Sequence, residues 1–419
     1  MISQGVFVES NSYLMGRQPI LNGLEEVVGY ELLFRSPKSI ASANIQCPVQ
    51  ATSRVMLDVL SSFGVHEMLG DLPGYINVDA EMLLSDAIEL LPGSSIGLEL
   101  LEDVAITPEI IERCRNLKAQ GYQLVLDDHR YEPQYEALYD GLVDIIKVDM
   151  ITTPLEDQYR EIELFNRYPV TLLAEKVDSR HMYLRCRKMG FELFQGYFFA
   201  RPSLIKKTRL TNSASTFFQL MQQLSRNADI DEIEHTFKQS PALTYKLLLL
   251  VNSVSFATRE KIRTVRHAIT LVGMQHLKRW VQLAIFADDG GLGMNNPLLD
   301  MAAVRAAFME EMARLELKKT RLLRYAQPDE CFMLGTLSVL KDVFEIGADE
   351  MRKSLNLSDD LVGAMIAHEG DLGTMLCLAE MIEQLEFEEA EQCLGRLGVC
   401  PDLVLACQKK AYSWRNSLI

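Results

Sequence analysis

The sequence predicts two folds in tandem: an α/β unit of the closed (β/α) barrel type, similar to a TIM barrel, followed by an all-α unit. Three observations carry this. From Tyr13 to about Pro202 short apolar runs alternate with amphipathic segments, the pattern of a parallel sheet with helices outside it. No glycine-rich phosphate loop follows the first run, as an open doubly wound sheet would normally show. After Pro202 strand-like runs cease and nearly every segment has helical spacing.

The apolar runs are Val27 to Phe34, Gly74 to Val78, Ile96 to Leu101, Gln123 to Leu126, Ile145 to Val148, Thr171 to Ala174 and Phe194 to Phe199. Helical stretches lie between them; in Thr107 to Gln120 the residues Ile110, Ile111, Cys114 and Leu117 share one face. Seven or eight strand–helix units suit a closed barrel of parallel strands, compact at about 200 residues. Ser203 to Lys207 reads as a connector, which places the domains at 1–206 and 207–419. Within the second, Phe217, Phe218, Leu220, Met221 and Leu224 form one apolar face, and Leu243, Leu247, Leu248 and Val251 another.

Composition narrows the function. The chain has 419 residues, 48% hydrophobic and 24% charged, and a formal charge of −16. So acidic a protein repels nucleic-acid phosphates over most of its surface, so no DNA or RNA partner is expected. A small anionic ligand would need local neutralisation. No uninterrupted apolar run near the roughly 20 residues that span a bilayer is expected, nor a basic-then-apolar leader at Met1 to Gln4. The eight cysteines, scattered from Cys47 to Cys407 with no Cys-x-x-Cys pair, read as free thiols. A cytoplasmic location without membrane attachment is the expectation.

Each run contains or ends in a residue able to coordinate a cation or handle a proton. In order these are Glu31 with Arg35, Asn77 with Asp79, Glu99 with Glu102, Asp127 with Asp128, Lys147 with Asp149, Glu175, and Gln195. The C-terminal strand ends of a parallel barrel converge on one face. Carboxylates crowded there repel unless cations offset them. Oxygen donors without Cys or clustered His select hard ions such as Mg²⁺ or Mn²⁺, and so many carboxylates suit a pair of ions roughly 4 Å apart. Taken singly, each is as well read as a polar strand end, with Lys147 as an ion-pair partner and Asp79 and Asp149 as helix caps. Taken together, they point to metal-assisted attack of water on a phosphodiester.

These residues resemble the EAL family of cyclic di-GMP phosphodiesterases over nearly the whole N-terminal half. Gln18-Pro19-Ile20 is similar to the family's opening segment, and Glu31-Leu32-Leu33 to its name motif. Arg35, Glu99-Leu100-Leu101-Glu102, Asp127-Asp128, Lys147, Ala174-Glu175, Gln195-Gly196-Tyr197 and Arg201-Pro202 follow in the family's order. The resemblance implies that Glu31, Asn77, Glu99 and Asp127 hold one metal and that Asp127 bridges to a second near Asp128 and Glu175. It implies that Lys147 positions or deprotonates the attacking water, that Gln195 lies at the floor of the site, and that Gln18, Arg35 and Asp149 meet the substrate. The reaction would open cyclic di-GMP to linear pGpG, lowering the messenger and favouring motility over biofilm.

Two departures stand out. His129-Arg130-Tyr131-Glu132 replaces the usual Phe-Gly-Thr-Gly, a loop that Glu102 would brace and that couples the site to dimerisation in the family. Lys176-Val177-Asp178 replaces Gly-Val-Glu. They keep open a second reading, a cyclic di-GMP-binding sensor or scaffold without turnover.

The second half resembles the HDOD domain, through Gln239 to Thr244, Leu247 to Ser253 and His267 to Gly273. That domain is similar to an HD hydrolase fold without its metal ligands. No His-Asp dipeptide occurs, and His267, His276 and His368 read as isolated surface or core histidines. The resemblance implies a regulatory or docking role with a signalling partner, and a homodimer.

Overall fold

The computed structural model describes residues 14–35, 64–196, 212–239, 265–284, 296–315, 327–344 and 357–417, with isolated positions 243, 247 and 352. The connector at 203–207, Cys47, Tyr197, Arg201-Pro202 and Asn252-Ser253 lie outside the described residues.

Eight strands close a barrel in chain order: β1 (Leu14–Asn22), β2 (Val27–Arg35), β3 (Gly74–Val78), β4 (Ile96–Leu100), β5 (Gln123–Leu126), β6 (Ile145–Asp149), β7 (Thr171–Glu175) and β8 (Leu193–Phe194). From β2 to β8 every neighbour is parallel. The expectation of an all-parallel sheet needs one correction, because β1 runs antiparallel to both β2 and β8. A hairpin makes this possible. The Asn22 side-chain carbonyl accepts from the backbone N–H of Leu24 and Glu26, and Glu25 takes the left-handed conformation at φ 66°.

The helices outside are α1 (Val65–Leu69), α2 (Ala80–Leu84), α3 (Pro108–Ala119), α4 (Glu136–Tyr139), α5 (Leu155–Phe165) and α6 (Arg180–Met189). Their starts follow from local chemistry. The Asp79, Thr107 and Ser179 side chains accept from the third residue onward, and Pro108 begins α3 where no amide partner is needed. Asp79 is thus a helix cap.

Beyond β8 the described residues are helical: α7 (Asn212–Ser225), α8 (Ile230–Lys238), α9 (Val265–Val272), α10 (Met274–Ala284), α11 (Pro297–Arg314), α12 (Pro328–Phe344), α13 (Asp359–Ala367), α14 (Gly370–Glu383), α15 (Phe387–Leu397) and α16 (Pro401–Asn416). They share one core that includes Phe217, Phe237, Leu277, Phe308, Phe332 and Met375. The stretch Asp359–Glu383 is long and apolar enough to cross a membrane. Here it forms two helices, interrupted where His368 and Gly370 take positive φ. His267, His276 and His368 are all exposed.

The two units pack on β1 and the start of α1. Arg17 is the centre of that seam. Its guanidinium lies between the rings of Tyr30 (3.9 Å) and Tyr412 (4.2 Å), donates to the Met68 carbonyl at 2.8 Å, and pairs with Asp300 at 3.0 Å. Asp300, in the first turn of α11, also meets Arg415 at 2.5 Å and accepts from the Tyr30 hydroxyl at 3.0 Å. Burial raises the cost of each charge, but the two arginines hold the Asp300 carboxyl below the usual range. Gln408 donates to the Met15 carbonyl at 2.8 Å, and Gly16 passes so close to Leu385 that a Cβ there would come within 2.2 Å of its side chain.

Candidate active site

Period-two alternation builds the site. The barrel interior holds a layer of Ile20, Tyr75, Val125, Ile145 and Leu173, with Leu193 packed against it. Two residues further toward the mouth on the same strands stand Gln18, Asn77, Asp127, Lys147, Glu175 and Gln195. Gly29 and Gly97 extend the lower layer and leave room for Tyr75, since a Cβ at either would lie 3.1 Å or 2.4 Å from its ring. Two residues beyond those glycines come Glu31 and Glu99. Eight polar residues thus form one layer above an apolar plug.

Lys147 is at its centre. Its ammonium contacts Asp127 at 2.8 Å, Glu175 at 2.8 Å, Glu99 at 3.0 Å and Glu31 at 3.3 Å, and its side chain is 1% exposed. Burial alone would lower its pKa. The four carboxylates more than reverse this and hold it well above the usual lysine range. Each attraction is on the order of 4 kcal/mol at 4 Å and an effective dielectric near 20, against a burial penalty of several kcal/mol. Lys147 is therefore an ammonium here, and much of the charge relief that sequence reasoning gave to metal ions alone comes from it. The rest of the layer is tied to Glu31: Gln195 donates to it at 2.5 Å and to Gln18 at 2.8 Å, and Asn77 donates to it at 3.0 Å. Burial works against these contacts, but together with Lys147 they leave the Glu31 pKa lowered. Burial and like charge push Glu99 well up and Glu175 up to about 8, so the cluster retains protons when no other cation is bound.

Asp128 and Asp149 form a second group at the rim. Lys176 bridges them, at 3.2 Å and 2.6 Å. Asp149 also accepts from the backbone N–H of Ile151 and Thr152, which with Lys176 outweigh burial and lower its pKa. Asp128 and Lys176 both have positive φ, at 42° and 53°. Such a conformation costs a non-glycine residue about 1–3 kcal/mol. Gly196 lets the loop after β7 pass: a Cβ there would lie 2.3 Å from the Val177 amide nitrogen, which donates to the Gln195 carbonyl.

Arg35 stands at the mouth on the Glu31 side of β2, half exposed and 3.5 Å from Glu388 of the helical unit. Glu102 is exposed after β4 and has no polar partner among the described residues. The loop it was expected to brace is anchored elsewhere. His129 bonds Tyr139 at 2.7 Å, Arg130 bonds Glu161 at 2.6 Å, and the rings of Tyr131 and Tyr139 pack on Phe165.

Among the described residues, no three His, Cys, Asp or Glu side chains surround an open metal position; the Lys147 nitrogen stands where four carboxylates converge. The donor chemistry nevertheless fits a hard cation. Asn77 Oδ1, Glu99 Oε1 and Asp128 Oδ1 are buried oxygens without a hydrogen-bond donor. Sequence reasoning missed Lys176, whose only signal was the departure from the family's glycine, and Arg17, which carried none.

Residues 66–202 match the EAL domain model and residues 210–346 the HDOD domain model. Over 413 residues the chain is 30% identical to the uncharacterized protein YuxH of Bacillus subtilis, covering 97% of this chain and 98% of that one. The chain belongs to the EAL–HDOD family. A further relative, the cyclic di-GMP phosphodiesterase CdgJ of Vibrio cholerae, is 30% identical over 92% of this EAL–HDOD chain and 88% of its own. Among solved structures, a standalone EAL protein of Vibrio cholerae O395 in a c-di-GMP-bound form matches 46% of this chain and 92% of its own, at 23% identity and a TM-score of 0.36.

Proposed function

We propose that this protein is a cyclic di-GMP phosphodiesterase that opens its substrate to linear pGpG, with the helical domain as its regulatory or docking unit. The observation that carries the reading is the polar layer at the barrel mouth: Gln18, Glu31, Asn77, Glu99, Asp127, Lys147, Glu175 and Gln195 meet above one apolar plug. The likeness to CdgJ across both domains supports it. The domain division at 1–206 and 207–419 and a cytoplasmic location are part of the same proposal, as are the effect on motility and biofilm and a homodimer.

Glu31, Asn77, Glu99 and Asp127 would hold Mg²⁺ or Mn²⁺, and Asp128 and Glu175 are the oxygen donors available for a second ion. When bound, such an ion activates a water and stabilises the leaving oxygen during in-line attack on phosphorus. Gln195 and Asn77 fix the Glu31 carboxylate in one orientation. Lys147, held as an ammonium by the carboxyl groups around it, would orient the attacking water and offset phosphate charge. Arg35 offers a guanidinium to a substrate phosphate once Glu388 is displaced.

The anchored His129–Glu132 loop favours the alternative of a binding module without turnover. Incubation with cyclic di-GMP and Mg²⁺ or Mn²⁺ separates the two. Formation of pGpG, abolished by chelator and by Glu31→Ala, supports the enzyme; saturable binding without product at high protein concentration rejects it.

A further inference from the structure

We propose that the Lys176 ammonium takes the place of the second divalent cation, so that this chain binds one metal ion per site and not two. The inference rests on the metal-site reading above and narrows it. Lys176 reaches across three strand ends, from the end of β7 to Asp128 after β5 at 3.2 Å and to Asp149 on β6 at 2.6 Å. Asp149 is itself immobilised, because it also accepts from two backbone amides and bonds the Thr152 side chain, and its own side chain is 5% exposed. The ammonium is thereby held against Asp128, one of the two side chains left to bind a second ion.

The two halves of the site differ in what they leave open. On the β3–β4 side, Asn77 Oδ1 and Glu99 Oε1 are buried without a donor, and the nearest cation, Lys147, divides its contacts among four carboxylates. On the rim side Asp128 keeps one such oxygen, Oδ1, but its Oδ2 faces the half-exposed Lys176 ammonium at 3.2 Å, and a divalent ion between Asp128 and Glu175 would sit within a few ångströms of that positive charge. At that separation like charges repel strongly. The backbone agrees: Lys176 holds φ 53°, a conformation in which glycine is the default, and this aims the side chain across the mouth. The following residue is fixed by the Val177 N–H bond to the Gln195 carbonyl.

The test is a metal count on the full-length, chelator-stripped protein titrated with MnCl₂ alone, with free Mn²⁺ read by electron paramagnetic resonance and bound ions examined at low temperature. The parent protein is expected to take about one Mn²⁺ per chain with an isolated-ion spectrum. Lys176→Gly is expected to take about two, giving the spin-coupled signal of ions roughly 4 Å apart. Lys176→Arg, which keeps the charge, should stay at one. Two coupled ions in the parent, or one in Lys176→Gly, would overturn the inference while leaving the metal-site reading intact. No bound ion in any of the three proteins would remove that reading itself, and this one with it.

Discussion

Replacing Asp300 by asparagine removes one negative charge from between two buried arginines and changes almost nothing in shape. Arg17 and Arg415 both pair with this carboxylate, at 3.0 Å and 2.5 Å, and the side chains of all three are 10% exposed or less. An asparagine still offers one oxygen to Tyr30 and Arg415, but its NH₂ replaces the oxygen that accepts from Arg17, so the charge and one acceptor are lost. Breaking a buried pair by neutralising one partner costs about 3–5 kcal/mol. At roughly 2–4 °C per kcal/mol for domains of this size, Tm should fall by roughly 6–20 °C. Differential scanning calorimetry measures this, and limited proteolysis reports whether the seam between barrel and helices opens. Lys410→Ala is the control, because the Lys410 side chain is 65% exposed where it meets Glu311 and a pair with one member in solvent contributes about 1 kcal/mol. The Asp300 pKa is lowered in the fold. Its contribution is therefore complete above the unfolded value of about 3.9 and declines as pH drops through the folded value. Asp300→Asn should lack this acid-sensitive component. A variant melting within about 2 °C of the parent would show that the seam depends on packing and not on this charge.

Lys147→Met leaves four buried carboxylates without their ammonium; stability without divalent ions should drop by about 3–5 kcal/mol, and Mn²⁺ should restore part of it, which melting with and without the ion will show. Gly196→Ala forces a Cβ to 2.3 Å from the Val177 nitrogen at φ 149°; a loss of at least about 1–3 kcal/mol is expected, together with loss of pGpG formation as Gln195 shifts. Glu388→Ala should leave Tm nearly unchanged, as expected for a half-exposed pair. By freeing Arg35 it should tighten cyclic di-GMP binding a few-fold at low salt, and unchanged affinity in a direct titration would remove the competition between Glu388 and phosphate.

The barrel was legible where its periodicity was simple. Strands β3 to β7 are short, apolar and closed by a polar residue, and their predicted limits differ from the observed ones by no more than a residue. The site followed from the same rule, since a residue two positions beyond a plug residue must face the mouth. Strand β1 was not foreseen. Pro19 interrupts its pattern and cannot donate to a ladder, and its pairing with β2 depends on the Asn22 turn. The seam was invisible for another reason: Arg17 and Asp300 are 283 positions apart, and neither carries a local signal of its partner. The role of Lys147 was read as chemistry first and ion pairing second, while the geometry shows four ion pairs.

The grip of α16 on β1 ties residues that leave the ribosome at very different times. Gln408 meets Met15 across 393 positions, and Asn416 reaches back to His66 and Glu67. A nascent chain can therefore pair β1 with β2 long before the surface that covers them exists, and Arg17 must wait for its counter-charge until α11 has been synthesised. Contacts of such span slow folding. Until α16 arrives, the outer side of the hairpin bearing Gln18 and Glu31 stays uncovered, so truncation before residue 401 should yield aggregation and not a smaller working barrel.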